Sequence, residues 1–101
     1  MWVMVMFYLP ALTKAERKAA AGFRKELLNM GFEMAQFSVY LRFCGSDAQV
    51  STLASKVQQV LPRSGQVSIL TFTDKQYERI ISFANRQHQA QKRPPDQLEM
   101  F

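Results

Sequence analysis

WVMVMFYLP, residues 2–10, is an unbroken run of apolar and aromatic side chains closed by Pro10. A short run rich in valine and aromatic residues reads as a strand, and its lack of alternation predicts an inner strand covered over most of both faces. Period-two geometry sets Trp2, Met4, Met6 and Tyr8 on one side and Val3, Val5, Phe7 and Leu9 on the other. The run is too short to span a bilayer and lacks the basic flank and small-residue cleavage site of a secretory signal, so the expected location is cytoplasmic.

Working outward, Thr13 and Glu16 have the spacing of a capping box, and Ala19, Phe23, Leu27 and Met30 share a face at 100° per residue. A first helix is therefore expected from Lys14 to about Met30, with Gly31 ending it. Residues 32–43 read as extended, FEMAQ forming a short separate strand. In the second part Phe37, Val39, Leu41 and Phe43 are assigned to the core face and Ser38, Tyr40 and Arg42 to the outer one. Gly45, Ser46 and Asp47 then turn the chain into a second helix carrying Val50, Leu53, Val57 and Val60, which Pro62 stops. VSILTF at 67–72 is a further strand, Asp74 is the expected cap of a short helical turn, and residues 80–84 form a fifth strand. The order βαββαβ with an extra C-terminal strand is an α+β, ferredoxin-like arrangement over residues 1–85, with two helices on one sheet face. Residues 86–101 are polar and proline-containing and read as a flexible or partner-docking tail, its docking residues being Leu98, Met100 and Phe101.

The chain has 101 residues, enough for one domain, and 48% of them are hydrophobic. A core this small gains stability by pairing, so a homodimer is expected. Thirteen Lys and Arg against eight Asp and Glu give a formal charge of +5 and a pI near 9.7, which favours polyanionic partners. Cys44 and His88 are each the only residue of their type, which excludes an internal disulfide and a zinc cluster of those ligands. Cys44 ends an apolar strand and reads as a buried, inert thiol. His88 falls in the polar tail, the carboxylates are scattered singly, and no catalytic constellation can be assembled from one chain.

The strongest candidate surface is the first helix, where Lys14, Arg17, Lys18, Arg24 and Lys25 fall within about 120° of arc, opposite Phe23 and Met30. Such a face can neutralise phosphates without reading bases; a merely solvated basic face is the alternative. Arg42, Arg79 and Arg86 are further candidates. A base-stacking platform of the RNA-recognition type is disfavoured, because Phe37 and Phe43 are assigned to the core and Tyr40 is left as the lone outward aromatic.

MFYLP at 6–10, TKAERKAAAGFRKELLNMGFEMAQFSVYLRFC at 13–44 and GQVSILTFTDKQYERI at 65–80 together resemble the second CRISPR-associated (Cas) protein family, particularly its short members from type II systems. The resemblance covers about residues 2–85 and implies a ferredoxin-like protomer in a symmetric dimer, often with the last strand added to the partner's sheet. It implies a metal-dependent endonuclease in name, with an aspartate at the end of the first strand of both protomers holding Mg²⁺. It also implies a scaffold that binds duplex prespacer DNA and bridges dimers of the Cas integrase during spacer acquisition. Here the family's phenylalanine-aspartate-leucine-proline reads Phe7, Tyr8, Leu9, Pro10. A neutral phenol is a poor Mg²⁺ ligand beside a carboxylate, so the metal ligand is expected to be lost and no bound Mg²⁺ is expected. The resemblance thus leaves two functions in view, a DNA-binding scaffold and a magnesium-dependent nuclease of RNA or DNA that is inactive in this chain.

Overall fold

Strand β1 (Trp2–Tyr8) pairs antiparallel with β3 (Val39–Phe43) on one side and β4 (Gln66–Phe72) on the other, and β2 (Glu33–Gln36) pairs with β3. The resulting sheet has the order β2-β3-β1-β4. The structure is a computed structural model that describes residues 1–90; the docking residues expected at Leu98, Met100 and Phe101 lie outside the described residues. Among the described residues no helix is long and apolar enough to cross a membrane.

Helix α1 (Lys14–Asn29) starts on the anticipated capping box. Thr13 Oγ1 accepts the Glu16 amide at 3.1 Å while the Glu16 carboxylate accepts the amides of Thr13 and Leu12 at 2.8 and 3.1 Å. It ends in a Schellman turn: Gly31 takes a φ of +88°, its amide bonds Leu28 O at 3.0 Å, and the Phe32 amide bonds Leu27 O at 3.1 Å. Leu27 and Phe32 are both buried, so the turn also supplies its hydrophobic contact. Helix α2 (Asp47–Gln59) is capped by Ser46, whose hydroxyl accepts the Gln49 amide at 3.2 Å.

Both long helices pack on the same side of the sheet. Val3, Val5 and Phe7 of β1 meet Phe23 and Leu27 of α1, Leu53 and Val57 of α2, and Phe32, Tyr40 and Cys44 in one core. The Phe7 ring lies edge-on to Phe23 and stacks on Tyr40. On α1 the buried alanine is Ala20, and Ala19, expected inside, is exposed.

The face assignment of β3 is the reverse of the expectation. Tyr40 pairs with Val5 and is buried in the core, whereas Val39, Leu41 and Phe43 pair with Met6, Met4 and Trp2 on the opposite face. Alternation separates a strand's two faces without saying which one meets the helices; the pairing with β1 decides that. Phe37 sits in the β2–β3 turn, 86% exposed.

A short helix, α3 (Asp74–Glu78), folds under the face that the long helices leave open. Its cap is Thr73, one residue before the expected Asp74, because Thr73 Oγ1 accepts the Gln76 amide at 3.1 Å and Gln76 returns a bond to the Thr73 amide at 2.9 Å. Asp74 instead pairs with the Met1 amino group at 3.3 Å. The Tyr77 ring stacks on Trp2 with centroids 4.0 Å apart, and Phe43 meets the same indole edge-on at 5.5 Å. One end of this face is thereby closed. Towards its other end Met6, Leu70 and Tyr8 remain exposed.

The expected fifth strand is present as β5 (Ser82–Ala84), but among the described residues it pairs with β6 (Gln87–Gln89) in a separate two-stranded sheet. Asn85 and Arg86 both have positive φ, the signature of the two-residue turn whose twist suits a hairpin. The chain thus continues in regular structure past Asn85, where the sequence reading begins a tail. Four antiparallel strands in this order, with two helices on one face, form a ferredoxin-like α+β fold.

Candidate nucleic-acid interface

The basic arc of α1 faces away from Ala20, Phe23 and Leu27, as the helical period requires. Lys14, Lys18 and Lys25 are exposed. Arg17 is exposed too, but its Nη1 donates to Leu12 O at 2.9 Å and Ala11 O at 3.4 Å, which fixes the connection between β1 and α1. The Arg24 guanidinium lies 5.7 Å from the centroid of the Phe7 ring and is half-buried. From Lys14 to Lys25 the helix rises about 17 Å, the length of about five base pairs of duplex. None of these five cations is held in an ion pair among the described residues.

The other sequence candidates lie on other elements. Arg42 is half-buried with its Nε 3.4 Å from where a Cβ on Gly31 would sit, beside the C-terminal end of α1 and so at the opposite end from Lys14. Arg79 caps the C-terminus of α3, and Arg86 is in the β5–β6 turn. Arg63, which the sequence reading passed over, does come to the N-terminal end of α1. It lines an apolar groove with Leu9, Pro10, Glu16, Ala19 and Pro62. Its only local signal is the helix stop at Pro62; its position follows from Gly65, whose close approach to the Tyr8 carbonyl pins the loop to the end of β1.

Tyr8 ends β1 on the open face, 76% exposed, with Gln66 opposite it on β4. These groups do not fit a Mg²⁺ site. Hard divalent cations take carboxylate and carbonyl oxygens converging at one point. The flanking positions are Gln66 and the turn at Phe37, and the Glu16 carboxylate is already committed to two amides. Among the described residues no three His, Cys, Asp or Glu side chains group together. Cys44 is a buried free thiol, as its strand-end position suggested, and His88 lies edge-on to Phe83 in the hairpin.

A ferredoxin-like protomer with a cationic outer helix is the class that fold and surface define. Residues 1–80 match the family described as CRISPR associated protein Cas2, and the chain belongs to that family. It is 61% identical over 101 residues to a CRISPR-associated endoribonuclease Cas2 of Paracidovorax avenae, covering 100% of this chain and 94% of that one. It is 43% identical to the protein of the same name from Parvibaculum lavamentivorans, over 100% of both chains. The crystal structure of Streptococcus pyogenes Cas2 at pH 6.5 superposes with a TM-score of 0.63 at 17% identity, covering 83% of this chain and all of that one, a likeness of fold.

Proposed function

We propose that this chain is the DNA-binding scaffold of CRISPR spacer acquisition, a symmetric dimer that holds duplex prespacer DNA and bridges dimers of the Cas integrase. The observation that carries the reading is the arc of five cations on α1, unopposed by carboxylates and rigidly mounted on the core. Each lysine that meets a phosphate releases condensed counterions, so binding is sequence-independent and steeply salt-dependent. Titration of a duplex at several salt concentrations tests it. Reversing Lys14 or Lys18 to Glu is expected to lower the salt slope by about one unit and weaken all duplexes alike. Unchanged affinity after reversing both would remove α1 from the interface.

Dimerisation is supported by the uncovered apolar residues of the sheet and by the outer edge of β4, along which no strand pairs among the described residues. A two-fold pairing of identical surfaces buries both at once. Mixing the protein with the integrase of its own locus, and measuring assembly together with duplex integration, tests the bridging role.

The relatives' name, endoribonuclease, favours a second reading as a metal-dependent nuclease of RNA or DNA. Tyr8 stands against it here, since no carboxylate replaces the one the family motif carries at that position. The expected result is no chelator-sensitive cleavage of RNA or duplex DNA in Mg²⁺ by this chain, measured beside its Tyr8→Asp form. Strong Mg²⁺-dependent cleavage by the unaltered chain would reject the scaffold-only reading.

A further inference from the structure

The strand register places two methionines in the middle of the face that the long helices leave open. Met4 lies between Leu41 of β3 and Leu70 of β4, and Met6 between Val39 and Ser68 of the same two strands. Both are carried by β1, an inner strand of the sheet, so they stand within that face rather than on its rim. Trp2, two residues before Met4 on the same side of the strand, is closed over by Tyr77 and Phe43. Met4 is half-buried and Met6 is 38% exposed.

A thioether reacts with peroxides wherever solvent reaches it, without the ionisation that a thiol needs first. The chain's one thiol, Cys44, is 1% exposed in the core and out of reach, so the reactive sulfur of the open face is that of Met6. Hydrogen peroxide gives one oxygen to it: the O–O bond breaks, a sulfur lone pair forms the S–O bond, and water leaves. A methionine sulfoxide reductase reverses the step, two thiols closing to a disulfide while the oxygen departs as water. The sulfoxide is a strong hydrogen-bond acceptor among apolar neighbours, and burying it unpaired is unfavourable. A two-fold contact buries one from each copy and so doubles the effect. Ser68, in register with Met6, can donate one bond to that oxygen, which sets the effect at the lower end of its range.

We infer that Met6 is an oxidation site that gates self-association: its thioether reacts in the separate protomer, is covered in the dimer, and as the sulfoxide keeps two copies apart. The inference rests on the dimerisation proposed above and adds to it a chemical control of assembly by peroxides. The domain itself stays folded, because Val5 and Phe7 on either side of Met6 belong to the core and Met6 does not.

The test treats the full-length protein with hydrogen peroxide, follows each methionine by peptide mass mapping, and measures association by sedimentation. Met34 is the internal standard: it is 52% exposed and pairs with the buried Tyr40, which puts it on the opposite face of the sheet. Met6 should react at a rate close to that of Met34 in dilute protein and several-fold more slowly where the dimer forms. Oxidation at Met6 should raise the dimer dissociation constant about 30-fold or more, and a methionine sulfoxide reductase should restore it. Met6→Gln, a polar side chain of similar length, should reproduce the loss. Met6→Leu should dimerise and remain dimeric after peroxide, with Met34 oxidised, and circular dichroism melts confirm that both variants fold. A dissociation constant unchanged by Met6 oxidation or by Met6→Gln, in a protein whose dimer shields Met6, would overturn the gate and leave the pairing intact. Loss of the dimer on oxidising Met6→Leu would assign the effect to another methionine and equally overturn it. Failure of the parent reading looks different: no dimer in the unaltered chain, or Met6 reacting as fast as Met34 at every protein concentration, which removes the pairing through this face and the gate with it.

Discussion

Gly65→Ala is expected to lower the stability of this domain by about 4 kcal/mol, a large share of the 5–15 kcal/mol typical of a folded domain. Two effects add. The φ of +101° at Gly65 lies where a side chain costs about 1–3 kcal/mol, and an added Cβ would fall 2.5 Å from the Tyr8 carbonyl oxygen and 2.8 Å from Leu9 Cδ2. The leucine methyl can rotate away, but the carbonyl belongs to β1 and cannot. The thermal midpoint should fall by roughly 20 °C in a circular dichroism melt. Gly22 supplies the control. It lies inside α1 with nothing within 4 Å of an added Cβ, so Gly22→Ala should gain about 0.8–1 kcal/mol from helix propensity. Two identical substitutions thus have opposite signs, and a Gly65→Ala melt within a few degrees of the parent would show that the loop does not press on β1.

Tyr77→Ala is expected to cost about 3–5 kcal/mol, the range for removing a large aromatic from a packed site. Tyr77 is buried, stacks on Trp2 and lies parallel to Phe72 at 6.3 Å, so its loss uncovers the end of the open face. Trp2 is the only tryptophan, which makes its emission a direct reading of that event. A red shift should accompany the loss of stability. Trp2 Nε1 is buried without a hydrogen-bond partner among the described residues, so water reaching it recovers part of the cost and places the effect towards the lower end of the range. Tyr77→Phe keeps the ring stack and should leave the emission maximum near that of the parent. An unshifted spectrum for Tyr77→Ala would mean that α3 does not cover the indole.

The elements set by local chemistry were legible in the residues. The capping box of Thr13 and Glu16, the glycine stop at Gly31 and the turn at Gly45, Ser46 and Asp47 that starts α2 act within a few residues of themselves, and each appears as read. So did β1, whose continuous apolar run needs both faces covered, and the basic arc, which depends only on helical period. What escaped was set at a distance. Whether Tyr40 or Phe37 goes inside depends on register with β1, thirty-odd residues earlier, and either choice satisfies alternation. Arg63 joins the α1 end only because Gly65 lets the chain touch Tyr8. Arg42 comes to the C-terminal end of α1 because β3 carries it there. The cap of α3 moved by one residue because both Thr73 and Asp74 can cap, and the N-terminal amine of Met1 engages the aspartate.

The two rims of the sheet are unequal. β2 is four residues long, carries Glu33 at its start and is interrupted by an irregularity between Met34 and Gln36, features that discourage further strand addition. β4 runs seven residues without lysine, proline or irregular pairing. A sheet adhesive on both rims grows into a fibre; one adhesive on a single rim is a chain terminator for its own polymerisation. In the dimer proposed above, association through β4 would saturate after one partner, which limits growth geometrically rather than through weak affinity.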